Sequence, residues 1–433
     1  MIRFALAAVL ALAALPARAV DIQSVTSPGG ITAWLVENHE IPFTALEIRF
    51  RGGASLDAPG KRGAINLMTA TLEEGAGDLD SQGFAEAAET LAASFSFNVS
   101  DDVLSVSAKM LTENRDAAVT LLGQALNEPK FDQTAIDRVR GQVLSIIASD
   151  AKDPGAIAGD TFARLAYGDH PYGSSLNGTA DSVAALTRDD ILAAKARVMA
   201  RDRIFVSAVG DITPDALGEL LDRLLGALPA TGAPMPPRAT LGLTGGVTIV
   251  DYDSPQSMVL FGEAGLAMDD PDFFAAYILN QVLGGGGFSS RLMEEVREKR
   301  GLTYGVASYL VPKDLAETWQ GSVASANEKV AEAIAVIRAE WRRMAADGVT
   351  DAELDAAKTY LTGAYPLRFD GNGPIADILV GMQLSDLPID YVNTRNAKVE
   401  AVTRDDVARV AARLLRADDL RFVVVGRPVG LMN

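Results

Sequence analysis

Arg297 and Tyr304, seven residues apart, carry groups that could do chemistry. A guanidinium that is always charged and a phenolic hydroxyl can both donate hydrogen bonds to an oxygen that gains negative charge in a transition state. Neither needs a metal to do so. The same spacing also suits a plainer arrangement, with Arg297 paired to Glu294 on a solvated helix face and Tyr304 packed as strand core. Other candidates are thinner. His39, shortly before Pro42, reads as a turn, and His170, in Gly168-Asp169-His170-Pro171, reads as a loop. They are the only two histidines, 170 - 39 = 131 residues apart, there is no cysteine, and nothing has zinc-ligand spacing. Glu73 and Glu74 are neighbours that point in different directions on a helix, so they read as surface charge. Gly284, Gly285, Gly286 and Gly287 invite a phosphate-loop reading, but no Lys-Ser/Thr follows and no Rossmann unit surrounds them. Two readings stay open for the run: a close-approach loop, or a simple helix-to-helix turn, because glycine tolerates any φ. With two histidines a Ser-His-Asp triad has little material.

These groups need regular elements to hold them. A helix ending near Gly301, followed by a strand carrying Tyr304, would fix both Arg297 and Tyr304. Apolar and polar residues alternate at period two over 43–51, 103–109, 258–263, 304–311 and 319–325, which predicts half-buried strands. Helical periodicity runs over 81–93, 115–126, 133–149, 189–199, 328–346, 351–367 and 405–415. The pattern is written twice. Thr187-Arg188-Asp189-Asp190 recurs as Thr403-Arg404-Asp405-Asp406, a shift of 403 - 187 = 216. Gly210, closing the run FVSAVG, returns as Gly426 after FVVVG, and Gly30-Ile31-Thr32 is answered by Gly246-Val247-Thr248, at the same shift. A constant offset at three places indicates duplicated copies of one domain. Strands and helices segregate within each copy, so the fold class is α+β, a sandwich with helices on one face of a sheet. The stretch 228–246 holds Pro229, Pro234, Pro236 and Pro237 and reads as a linker. The expected division is 20–227, 228–246 and 247–433, two lobes facing each other across a cleft.

The composition agrees with this plan. A chain of 433 residues suits two domains of about 200 residues, because single cores stop growing at about 250 to 300. Hydrophobic residues make up 48% and charged residues 22%, which belongs to a folded chain. The net charge of -18 opposes a phosphate backbone, so a nucleic-acid partner is not expected. Residues 1–19 read as an export signal: Arg3, then the apolar run 4–15, then the A-x-A site Ala17-Arg18-Ala19. Twelve apolar residues fall short of the roughly 20 that cross a bilayer, so the expectation is a cleaved signal, no membrane anchor afterwards and a periplasmic location.

The two copies, the proline-rich join, the export signal and the segment 288–306 (FSSRLMEEVREKRGLTYGV) together resemble the M16, or pitrilysin-like, metallopeptidase family. The family's second-domain signature is similar to Ser289-Ser290-Arg291-Leu292 followed by Arg297 to Tyr304. The resemblance implies two LuxS/MPP-like α+β sandwich domains facing across a chamber. It also implies that Arg297 and Tyr304 hold a peptide near its scissile carbonyl and that the glycine run contacts substrate. Active members carry an HxxEH motif in the first domain, two histidines binding zinc and the glutamate acting on the bound water. That context falls on 63–75 (GAINLMTATLEEG), which puts Asn66, Thr69 and Ala70 in the three roles. A further glutamate ligand falls on Ile146, and its neighbours Ser145 and Ile147 are not carboxylates either. Asparagine is a poor zinc ligand, threonine cannot serve as the base and alanine has no ligating atom. The resemblance therefore implies a zinc-less subunit of a two-chain peptidase, inactive alone and without a cofactor of its own. It would bind peptide substrates and lend Arg297 and Tyr304 to an HxxEH-bearing partner that holds the zinc. The alternative is a degenerate peptidase acting only as a structural or peptide-binding protein.

Overall fold

Two sheets with one strand order organise the chain. In the computed structural model, which describes residues 21–432, the first half contributes β1 (Gln23–Thr26), β2 (Thr32–Glu37), β3 (Phe43–Arg51), the short β4 (Gly75–Ala76) and β5 (Leu79–Asp80), β6 (Ser94–Val99), β7 (Val103–Leu111) and β8 (Ile204–Gly210). The second half contributes β9 (Gly246–Asp251), β10 (Gln256–Ala264), β11 (Thr303–Lys313), β12 (Ala316–Ala326) and β13 (Arg421–Gly426). The large sheets run β1-β2-β8-β3-β7-β6 and β11-β12-β10-β13-β9. Leaving out β1, the second order reversed is the first. β2 pairs with β8 and β9 with β13 in parallel, whereas the other neighbours in both sheets are antiparallel. The expected export signal over 1–19 lies outside the described residues.

The helices are α1 (Ala64–Ala70), α2 (Ser81–Thr90), α3 (Arg115–Asn127), α4 (Gln133–Asp150), α5 (Pro154–Tyr167), α6 (Ala180–Ala184), α7 (Arg188–Val198) and α8 (Pro214–Leu225), then α9 (Phe273–Asn280), α10 (Val330–Asp347), α11 (Asp351–Ala364), α12 (Asn372–Leu384), α13 (Tyr391–Ala401) and α14 (Arg404–Leu414). The repeated Thr-Arg-Asp-Asp motif is a helix start: Thr187 with Asp190 and Thr403 with Asp406 form capping boxes at the beginnings of α7 and α14. The repeated glycine ends a strand where a side chain has no room. At Gly210, φ +136°, a Cβ would sit 2.1 Å from Phe43 O, and at Gly426, φ +155°, 2.3 Å from Ser257 Oγ. The helix expected over 351–367 stops at Ala364, because Pro366 has no N–H to continue the ladder and opens a separate 3-10 turn, Pro366–Arg368. Among the described residues no helix is long and apolar enough to cross a membrane.

Each sheet buries its alternate residues against its own helices. Leu46, Ile48 and Phe50 of β3 pack with Leu122 and Leu126 of α3 and Leu221 and Leu224 of α8. In the second half Val259, Phe261, Trp319 and Val323 meet Ile337 and Trp341 of α10 and Val410 of α14. Each such side chain stabilises the fold by about 1.5–3 kcal/mol relative to leaving it exposed.

The opposite faces are covered by exchange. α5 leaves the first half and packs on the second sheet, where Ala158, Phe162, Ala166 and Tyr167 meet Val423 and Val425. α12 does the reverse: Ala376, Leu379 and Met382 cover Ala45 and Val209 of the first sheet. Ser207 Oγ donates to Ala376 O at 2.6 Å, and Gln383 Nε2 to Val206 O at 2.7 Å. The two helices begin 372 - 154 = 218 residues apart, close to the repeat shift, so each half reaches across to the other in the same way. Helices on one face only, as expected, describes a single copy; in the whole chain each sheet also receives a helix from its counterpart. The proline-rich stretch has no regular structure between Leu225 and Gly246, yet it is pinned: Ala239 N donates to Leu315 O at 2.9 Å and Gly242 N to Ala166 O at 2.8 Å.

Candidate functional site

Arg297 and Tyr304 meet on the surface of the second half. α9 runs on into a π turn, Gln281–Gly285, and a second π turn, Met293–Glu298, carries Arg297. Such single wide turns put a side chain off the regular helical face. Arg291 anchors the segment between them. Its Nε and Nη2 donate to Glu353 Oε1 and Oε2 at 2.6 and 2.7 Å, and Nη2 also donates to Gly348 O at 3.0 Å. Burial pushes the Glu353 carboxyl up, but hydrogen bonds from Arg291 and Thr350 outweigh it and hold it down at about 2. The chain turns back at Gly301, φ +59°, into β11, whose pairing with β12 is irregular between Thr303 and Val306. That irregularity turns Tyr304 outward.

The guanidinium of Arg297 lies between two rings, its Cζ 4.7 Å from the Phe288 centroid and 5.4 Å from that of Tyr304. Each contact of this kind contributes about 0.5–1 kcal/mol at an exposed site. Tyr304 is 88% and Phe288 72% exposed. Both plainer expectations are overturned here. Arg297 pairs with Glu298, Nη1 to Oε1 3.2 Å, while Glu294 is taken by Lys299 at 2.9 Å, because the wide turn shifts which neighbours align. Tyr304 is not strand core but one of the most exposed apolar side chains described. Phe288 was not singled out in the sequence; an aromatic residue directly after a glycine run was the available signal.

The four glycines differ in what they do. A Cβ on Gly284 would lie 2.4 Å from Ser308 Oγ, on Gly285 2.6 Å from Asn280 Nδ2, and on Gly286 2.6 Å from Gln281 O. These three let the turn press against β11 and its own helix. Gly287 has φ +58° and open space around it. Gly285, Gly286 and Gly287 also line a 400 Å³ pocket with Ser289 and Tyr360.

In the first half the positions of the zinc motif are closed by other bonds. Asp57 accepts from the backbone N–H of Gly63 and Ile65 at 2.9 and 2.8 Å and so fixes the start of α1. Asn66 Nδ2 donates to Asn177 Oδ1 at 3.0 Å, and Asn177 Nδ2 to Asp150 Oδ2 at 3.4 Å. Thr69, buried, donates its hydroxyl to Ile65 O of its own helix at 2.8 Å. Ala70 packs on the apolar core, and Ile146 on α4 is 48% exposed. An amide tied to another amide, a back-bonded hydroxyl and two hydrocarbons are not a zinc donor set. Among the described residues no three His, Cys, Asp or Glu side chains cluster to suit a metal ion.

The remaining candidates have structural partners. His39 Nδ1 lies 2.6 Å from Asp211 Oδ1 and Nε2 3.3 Å from Glu37 Oε2; the bond to Asp211 is the main cause of its raised pKa. His170 Nδ1 accepts from Tyr172 N at 3.2 Å and Nε2 donates to Pro237 O at 3.0 Å, which ties the loop to the proline-rich stretch. Glu74 is not a loose surface charge: it accepts from Ser81 Oγ at 2.6 Å and pairs with Arg138.

Comparison with known proteins shows the family. Residues 33–180 match the family description Insulinase (Peptidase family M16), and residues 185–361 match Peptidase M16 inactive domain. The non-peptidase homolog YmxG of Helicobacter pylori is 27% identical over 90% of each chain, and an uncharacterized zinc protease of Streptomyces coelicolor is 27% identical over 91% of this chain and 87% of its own. A crystal structure of a peptidase M16 inactive domain from Pseudomonas fluorescens superposes with a TM-score of 0.88 at 27% identity, covering 95% of this chain and 99% of that one. A Helicobacter pylori protease superposes with a TM-score of 0.85 at 18% identity, covering 94% and 100%, a likeness of fold alone.

Proposed function

Because the chain belongs to the M16 peptidase family and stands with its inactive, non-peptidase homologues, we propose that it is the zinc-less subunit of a two-chain periplasmic M16 peptidase. The observation that carries this reading is the contrast between its two halves. The metal positions are filled by Asn66, Thr69, Ala70 and Ile146, while Arg297 and Tyr304 stand together and exposed. A phenol that touches no other described hydrogen-bond partner and a guanidinium with one ion pair keep donors available for a carbonyl. In the assembled pair they bind the peptide at its scissile carbonyl and stabilise the oxyanion it becomes. The glycine run 284–287 supports the approach of substrate beside them. Zinc and the base belong to an HxxEH-bearing partner chain.

The relative named as a non-peptidase homolog favours a second reading, a structural or peptide-holding protein with no part in cleavage. Reconstitution separates the two. The chain, an HxxEH-bearing M16 protein encoded beside it, and the mixture are assayed for co-purification and peptide cleavage. Cleavage by the pair alone is expected. A partner that cleaves equally well without this chain leaves only the second reading.

A further inference from the structure

A cleft of about 550 Å³ lies on the seam between the halves, and its lining includes none of Phe288, Arg297 and Tyr304. One wall is the first sheet, with Arg49, Val103 and Ser105, together with the exchanged helix α12. The other belongs to the second half, where Phe273, Phe274, Tyr277, Tyr365 and Tyr391 form an aromatic lining. Phe273 stacks on Tyr277 with centroids 6.2 Å apart, and Phe274 on Tyr391 at 6.5 Å. A mostly aromatic wall with a few convergent polar groups is the usual make-up of a small-molecule site, and the volume falls within the customary range.

The charges of the lining are unbalanced. Arg49, Arg368 and Arg395 face a single carboxylate, Asp377, in a chain whose net charge is -18. Arg49 already holds that carboxylate at 2.8 Å and Glu47 at 2.6 Å. Arg395 is only 6% exposed, and its partners are neutral: Nη1 donates to Leu361 O at 2.7 Å and to Asn396 Oδ1 at 2.9 Å, with the Tyr365 ring 4.6 Å from Cζ. Among the described residues no carboxylate forms an ion pair with it. An arginine cannot shed its proton, so a buried guanidinium without a counter-ion is costly unless an anion arrives.

We infer that this cleft binds an amphipathic carboxylate, its head on Arg395 with Arg368 at the mouth and its apolar body along the aromatic wall. A fatty acid and a peptide ending in an apolar residue carry the same chemistry. The site depends neither on Arg297 and Tyr304 nor on any partner chain. It is tested by calorimetric titration of the whole chain with dodecanoate below its micelle concentration, with dodecanol, and with acetyl-Ala-Ala-Phe as free acid and as amide. One-to-one binding of at least one acid is expected, about ten-fold or more tighter than its neutral counterpart. Binding of dodecanoate alone assigns the site to lipids, and binding of the peptide acid alone to chain ends. Arg395→Gln should weaken binding about ten-fold. Gly381→Leu is the safer variant, since Gly381 lines the cleft on α12 and a Cβ there meets open space. It should abolish binding with the melting temperature kept. Absence of saturable binding, equal affinity for acid and neutral forms, or full binding by folded Gly381→Leu overturns the inference.

Discussion

Two stretches of the chain hold matching places: α1 lies against the edge strand β6 in the first half, and the turn 281–285 lies against the edge strand β11 in the second. The scaffold around them is the same, but their polar groups are treated in opposite ways. On α1, half-buried Asn66 donates to Asn177 Oδ1 and buried Thr69 donates to Ile65 O of its own helix. Beside β11, Arg297, Tyr304 and Phe288 are gathered on the surface with donors to spare. One duplicated scaffold thus presents its polar groups differently at matching places in its two copies.

The sharpest way to break this comparison is Tyr304→Phe in the reconstituted pair. Losing one oxyanion donor lowers turnover by about 100- to 1,000-fold, whereas Thr69→Val on the other side should leave turnover unchanged; steady-state kinetics with a check of assembly reads both. Normal turnover in Tyr304→Phe would remove Tyr304 from the mechanism.

A smaller effect tests the cores. Phe50 of β3 faces Ile204, and its counterpart on β10, at a shift of 263 - 50 = 213, is Glu263, buried beneath Trp341. Burial pushes the Glu263 carboxyl from 4.5 to about 7, against hydrogen bonds from Trp341 Nε1 at 2.5 Å and Arg416 N at 2.9 Å. Because the folded form keeps its proton longer than the unfolded chain, stability should fall as pH rises from about 4.5 to about 7, by at most about 3 kcal/mol, and stay level above. Denaturant melts across that range should show the slope, and Glu263→Gln should flatten it. An unchanged slope in the variant would place the titrating group elsewhere.

The smallest test asks whether the halves are equivalent where they look it. Thr187→Ala and Thr403→Ala each remove a capping box and should each cost about 1 kcal/mol in chemical denaturation. A large inequality between them would show that the two copies no longer share their local energetics.

Much of the fold was legible because its signals are local. The strand at 43–51 announces itself by alternation, and the Thr-Arg-Asp-Asp repeat encodes two helix starts. The helices α5, α6, α8, α9, α12 and α13 were not read; for α5 and α12 the reason is that they carry apolar residues that make sense only against the other half's sheet. At the candidate site, Arg297 and Tyr304 were found through the resemblance of 288–306 to the family's signature, since type and spacing alone suit an ordinary surface pair equally well. Their exposure and the placement of Phe288 were not, because a π turn and an irregular strand pairing are decided by packing rather than by residue type.

By itself the sequence determined which side chains stand at the motif positions of the first half, an amide, a hydroxyl and two hydrocarbons in place of histidines and carboxylates. It also determined the duplication, since a constant offset survives whatever the chain does in space. Only the tertiary structure decided that the copies exchange helices, that Arg297 stands between two exposed rings, and that Arg395 is buried with no carboxylate ion pair among the described residues. Each of these depends on which distant segments share a surface, and that follows from the packing of the whole chain, not from the chemistry of any one stretch.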